Sequence, residues 1–100
     1  MKRATTPTHR FTLPVDASLI RRFLLTYTQN GKVVLEKRET DMAVEGNEWR
    51  IKLTQEEANL FDSSSLAHAQ IRILTTGGDA MASQEYAIYV GRVLNDEVLA

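Results

Sequence analysis

From Glu48 to Leu53 apolar and polar side chains alternate without a break: Trp49, Ile51 and Leu53 fall on one side, Glu48, Arg50 and Lys52 on the other. A repeat of two is what a half-buried β-strand requires, because successive side chains leave opposite faces of the backbone. Residues 66–74 repeat the pattern, with Ala67, Ala69, Ile71 and Ile73 set against His68, Gln70 and Arg72. Shorter runs of the same kind lie at 9–13 (Phe11 and Leu13 on one face), 20–28, 32–38, 42–45 and 82–90 (Tyr86, Ile88 and Val90 on one face). Pro14 with Asp16-Ala17-Ser18, Gln29-Asn30-Gly31, Gly46-Asn47 and the stretch from Thr75 to Asp79 supply turn residues between them. Seven short strands at regular spacing within 100 residues predict one domain, an all-β sandwich.

A slip of one residue would move a whole strand's side chains to the wrong face, so hairpin loops can be chosen by testing registers. In the first hairpin a loop of Asn30-Gly31 alone sets Leu25 against Glu36. A three-residue loop, 29–31, with Gly31 left-handed in a bulge, instead sets Tyr27 against Val33 and Leu25 against Leu35, and is the form expected. In the second, a two-residue Gly46-Asn47 turn sets Val44 against Trp49 and Met42 against Ile51. In the third, a two-residue Gly77-Gly78 turn sets Ala69 across from Tyr86 and Ala67 across from Ile88, small against large, as close packing favours.

Residues 54–61 break the rhythm. Thr54 stands three residues before Glu57, the spacing of a capping box, in which each side chain satisfies the other's backbone N–H. One or two helical turns are expected across 55–60, joining the two sheets. Leu53 would pack against Ala58 or Phe61, and Leu60 and Phe61 would close the end of the sandwich.

Composition narrows the function. Twelve basic residues against thirteen acidic ones lack the electrostatic footprint of a dedicated nucleic-acid binder. No apolar run approaches the ~20 residues of a membrane helix, and Met1-Lys2-Arg3-Ala4 leads into a polar stretch rather than the apolar core of a secretory signal. Without cysteine there is no disulfide, thiol nucleophile or thiolate metal site. His9 and His68 lack the spacing of zinc ligands and read as surface residues. Glu56 and Glu57 would point about 100° apart on a helix, and the cap already occupies Glu57. Ser63-Ser64-Ser65 has no flanking nucleophile-elbow glycines, and Gly77-Gly78-Asp79 lacks the lysine and helix of a phosphate loop. Neither an enzyme nor a cofactor is expected. The alternative is a carbohydrate-binding module, which needs Trp49, Tyr27, Tyr86 or Tyr89 exposed for stacking; the place of Trp49 beside Ile51 and Leu53 assigns it to the core.

What remains is contact with other protein subunits, of the same or a different chain. Lys2, Arg3, Arg10, Arg21 and Arg22 face only Asp16 in residues 1–22, whereas Arg92 faces Glu85, Asp96 and Glu97 in residues 85–100. Ends of opposite sign could attract between copies; the favoured reading is that the termini are solvated and their charge aids solubility. Leu24, Val34 and Tyr89 fall on faces opposite the core residues and form a candidate outward apolar patch. The last ten residues carry Val93, Leu94, Val98 and Leu99. Val93 and Leu94 are expected to fold back on the sandwich, and Val98 and Leu99 to touch a partner, for instance as a strand added to a sheet edge. The chain divides into a flexible arm at 1–8, the sandwich at 9–92 and an apolar docking segment at 93–100.

The succession Leu53-Thr54-Gln55-Glu56-Glu57, Phe61, Gln70-Ile71-Arg72-Ile73-Leu74-Thr75 and Val93-Leu94-Asn95-Asp96-Glu97-Val98 resembles small prophage-encoded proteins of Gram-positive bacteria. Those are similar to the immunoglobulin-like N-terminal domain of phage baseplate upper proteins. The likeness covers about residues 9–99 and rests on structural phrases, not catalytic signatures. It implies an immunoglobulin-like β-sandwich with a short helix near 55–60, a structural or adaptor role in a phage tail or baseplate, and a location in the virion or in the bacterial cytoplasm during assembly. It carries over no catalytic residue.

Overall fold

A computed structural model describes residues 1–100. The strands are β1 (Thr8–Thr12), β2 (Ile20–Gln29), β3 (Lys32–Arg38), β4 (Ala43–Glu45), β5 (Glu48–Lys52), β6 (Ala67–Thr75), β7 (Ala80–Ala82) and β8 (Tyr86–Ile88), with α1 (Gln55–Ala58) between β5 and β6. One sheet has the order β1-β5-β4; the other has β3-β2-β6-β7, with β8 also on β6. Every pairing between these strands is antiparallel. This is the strand order of an immunoglobulin-like sandwich, with one extra hairpin strand on the second sheet and no outermost strand beside β1 on the first.

The alternation places the core as expected. Trp49, Ile51, Leu53, Ala67, Ala69, Ile71 and Ile73 are all buried, together with Phe11, Leu13, Phe23, Leu25, Tyr27, Phe61 and Val90. Phe23 of β2 and Trp49 of β5 stack flat across the two layers, with centroids 4.3 Å apart and planes 1° from parallel. Tyr27 meets the edge of Phe61 at 5.6 Å. In a chain without cysteine, aromatic contact rather than a covalent bridge holds the sheets together.

Two hairpins differ from the sequence expectation, and they exchange loop types. The first turns on Asn30-Gly31 alone, with both residues at positive φ (53° and 75°) and Gln29 paired to Lys32. That is the primed turn whose twist suits a hairpin, and asparagine tolerates it. A bulge between Tyr27 and Thr28 on β2's pairing then shifts the register, so Tyr27 faces Leu35 and Leu25 faces Lys37, not Leu35. The extra residue is Val34, which packs against the core with Leu35, while Val33 is turned out. The third hairpin has the three-residue loop: Gly78 donates to Thr75 O (3.0 Å), Thr75 donates to Asp79 O (2.9 Å), and only Gly78 is left-handed. Ala69 still faces Tyr86 and Ala67 still faces Ile88. One extra residue near Ser83 restores the register and splits the expected last strand into β7 and β8. The second hairpin turns on Gly46-Asn47 with Val44 opposite Trp49, as expected; Met42 lies just before β4 and outside its ladder.

The capping box forms as read: Thr54 Oγ1 accepts from Glu57 N–H at 3.1 Å, and Glu57 Oε1 accepts from Thr54 N–H at 3.0 Å. Leu53, Ala58 and Phe61 are buried behind it, whereas Leu60, expected to close the end, is exposed. Residues 1–8, expected as an arm, are tied to the end of the chain. Lys2 bridges Gly91 in parallel, Arg3 N–H donates to Gly91 O (3.1 Å), Gly91 N–H donates to Met1 O (2.6 Å), and the amino terminus donates to Tyr89 O (3.0 Å).

Candidate partner-binding surface

The residues singled out as partner contacts fall into three places. Leu24 is half-buried on the outer face of the second sheet, between Arg38 of β3 and Arg72 of β6. With Arg22, Leu74 and Ala80 these residues line a shallow depression of about 310 Å³. Val34 is not beside Leu24: the bulge turns it into the core, and Val33 takes the outward position. Tyr89, just past β8, is 73% exposed.

Val98 and Leu99 belong to a segment held by its backbone. Gln55 on α1 donates to Leu99 O at 2.9 Å and accepts from Leu99 N–H at 2.8 Å, much as a neighbouring strand would. Asn59, one helical turn on, donates to Asp96 O at 2.9 Å. Arg3 pairs with the Asp96 carboxylate at 3.0 Å and donates to Asn59 O at 3.3 Å. The side chains gain little from this hold. Leu94, expected to fold back, is 97% exposed, and Leu99 is 74% exposed; Val93 is half-buried. Gln55 and Asn59 were not visible as functional residues in the sequence, although their spacing of four places them on one helix face.

A second polar cluster lies at the same end of the sandwich. His9 is turned inward on β1, with Nδ1 2.7 Å from the Tyr27 hydroxyl, and is not the plain surface residue expected. Burial, and then the positive amino terminus, hold the His9 imidazole below its ordinary pKa. Burial, and then the charge of Glu57, push the Tyr27 hydroxyl well above the usual phenol range. Lys37 points inward opposite Leu25 and pairs with Glu57. Burial raises the Glu57 carboxyl, but the Lys37 ammonium and the Thr54 N–H together outweigh it and keep the pKa low. Gln29, read from sequence as part of a loop, is a buried strand end whose amide donates to Asp62 O and Ser65 O and accepts from Asp62 N–H. His9 and Tyr27 satisfy each other, as do Lys37 and Glu57, while backbone groups satisfy Gln29.

Of the aromatic residues a sugar-stacking site would need, Trp49 and Tyr27 are in the core and Tyr86 is half-buried, which leaves Tyr89. His68 lies on the outer face of β6, opposite Thr28, in a small hollow that Glu85 also lines.

No protein-family model and no curated protein matches the chain. Two solved structures are similar in layout. Extracellular domains 3–5 of Drosophila OTK align over 94% of this chain and 32% of that one, at 13% identity and a TM-score of 0.40. The V domain of amphioxus IgVJ-C2 aligns over 89% of this chain and 95% of that one, at 13% identity and a TM-score of 0.35. The chain therefore spans about a third of the OTK fragment's length.

Proposed function

We propose that this protein is a non-enzymatic structural or adaptor module that works by binding protein subunits, its own copies among them, in the manner of a phage tail or baseplate component. The observation that carries the reading is the C-terminal segment, in which Leu94 and Leu99 stay largely in water although the backbone is held at Asp96 and Leu99. Burying one large apolar side chain is worth roughly 1.5–3 kcal/mol, so a segment that leaves two of them exposed is poised for a surface that covers them. The basic start and the acidic end meet within one chain, at Arg3 and Asp96, so their charge asymmetry gives no ground for contact between copies. The phage setting rests on the resemblance of residues 9–99 alone.

Size-exclusion chromatography with light scattering tests this. The full chain is expected to exceed its 11.3 kDa monomer mass as concentration rises, and a chain ending at Arg92 to remain at monomer mass. Strict monomers in both cases would overturn self-association through the tail.

A further inference from the structure

The open edges of the two sheets are not alike. β4, β7 and β8 are three residues each. β3 is bent by the bulge at Val34 and turns the charged Lys37 inward, two devices that blunt an edge. β1 runs five residues with neither a bulge nor an internal proline. Its parity on β5 is fixed by Leu53 N–H donating to Pro7 O (2.9 Å) and Leu13 N–H donating to Asn47 O (2.8 Å). Odd-numbered residues therefore bond to β5, and the N–H and C=O groups of Thr8, Arg10 and Thr12 point away from the sheet, where no other strand meets them.

Beside this edge, where β1 and β8 face each other across the open flank, lies a groove of about 320 Å³ with Phe11, Tyr86 and Ile88 in its wall. It is also where an immunoglobulin-like sandwich of four-plus-three strands would carry one more strand. The residues preceding β1 pair with 89–91 instead.

We infer that the free edge of β1 accepts residues 93–99 of a second copy as an added strand. The inference rests on the proposed self-association and names its surface. Seven extended residues span about 23 Å at 3.3 Å each, enough to cover the five of β1. The segment has apolar ends, Val93-Leu94 and Val98-Leu99, around an acidic centre, Asp96-Glu97. The edge has Arg10 at its centre, with no acidic group in ion-pair range, and apolar wall residues beside it. The segment's hold in its own chain consists of solvent-exposed hydrogen bonds and one surface ion pair, which exchange at small cost. Each chain carries both donor and acceptor, so the contact closes as a dimer where two copies exchange segments and otherwise runs head-to-tail into rings or filaments.

The test uses the full chain with Arg10→Pro and Arg10→Glu, and with Lys32→Glu, an exposed charge on the other sheet, as control. The Arg10 N–H is not used by β5, so proline there blocks an incoming strand and leaves the existing ladder intact; circular dichroism checks the fold. Light scattering is expected to show the dissociation constant rising at least tenfold in both Arg10 variants and unchanged in Lys32→Glu. In the unaltered protein the amide exchange of Thr8, Arg10 and Thr12 should slow as concentration rises. Association that survives both Arg10 changes but vanishes when the chain ends at Arg92 overturns the β1 assignment and leaves the tail-mediated contact standing. Equal loss in Lys32→Glu overturns it as well, since net charge would then be the cause. No association at any concentration overturns both.

Discussion

Tyr27 carries a hydroxyl into the core, and His9 is the group that answers it, at 2.7 Å. Burial of the ring there, and then the nearby positive amino terminus, give the fold a pH dependence. Unfolded, His9 titrates near 6.5; folded, its pKa is lower, so on the acid side the unfolded chain binds the extra proton. The stability contributed by neutral His9 is complete above 6.5 and is lost as pH falls through the folded value. Urea midpoints measured between pH 7.5 and 5.5 should therefore drop toward acid, and His9→Gln should flatten the curve. The slope is bounded by one proton, about 1.4 kcal/mol per pH unit, and solvent at the exposed side of the ring keeps it well below that. A curve unaffected by His9→Gln would remove this role. The alternation of residues 9–13 does place His9 on the Phe11 face, so its inward direction was legible. Its partner was not, because Tyr27 lies 18 residues away in the other sheet. Lys37 was hidden for a related reason: its inward turn follows from a bulge and is tolerated only because Glu57 arrives from α1.

At the scale of elements, side-chain periodicity reported which residues form strands, and backbone geometry decided how they pair. Periodicity cannot see a bulge, since an extra residue absorbs the mismatch that register testing relies on. Hence the first hairpin joins a two-residue loop to a bulge at Val34, and the third a three-residue loop to an extra residue near Ser83. The adjacent glycines of the third loop separate these geometries. Gly78 has φ of 89°, whereas Gly77 has an ordinary negative φ and an added Cβ would meet only Thr75 Oγ1, at 3.8 Å. Gly78→Ala is expected to destabilise by about 1–2 kcal/mol, the left-handed penalty. Gly77→Ala should be neutral or stabilise by up to about 1 kcal/mol through the unfolded chain. Chemical denaturation of the pair checks this; equal effects would point to the two-residue turn instead. The helix was more legible, because a capping box is a local signal and Thr54 and Glu57 need nothing distant to form it.

The whole molecule is long and thin, 47 × 29 × 16 Å, with a radius of gyration of 14.4 Å against about 13 Å for a compact chain of this length. Such a shape has much edge and little interior: 17 of 100 residues are buried. The interior was readable from sequence because burial imposes a period on it. The surface was not, because the tail's hold on Gln55 and Asn59 and the free edge of β1 depend on where the chain's two ends come to lie. Every functional reading of those surfaces presupposes that the period-two pattern closes two sheets over the Phe23–Trp49 stack. Trp49 is the chain's one tryptophan, so its emission reports on that closure directly. A blue-shifted spectrum, resistant to acrylamide until the protein is unfolded in urea, is the expected result. Emission and quenching equal to those of the unfolded chain would contradict the sandwich.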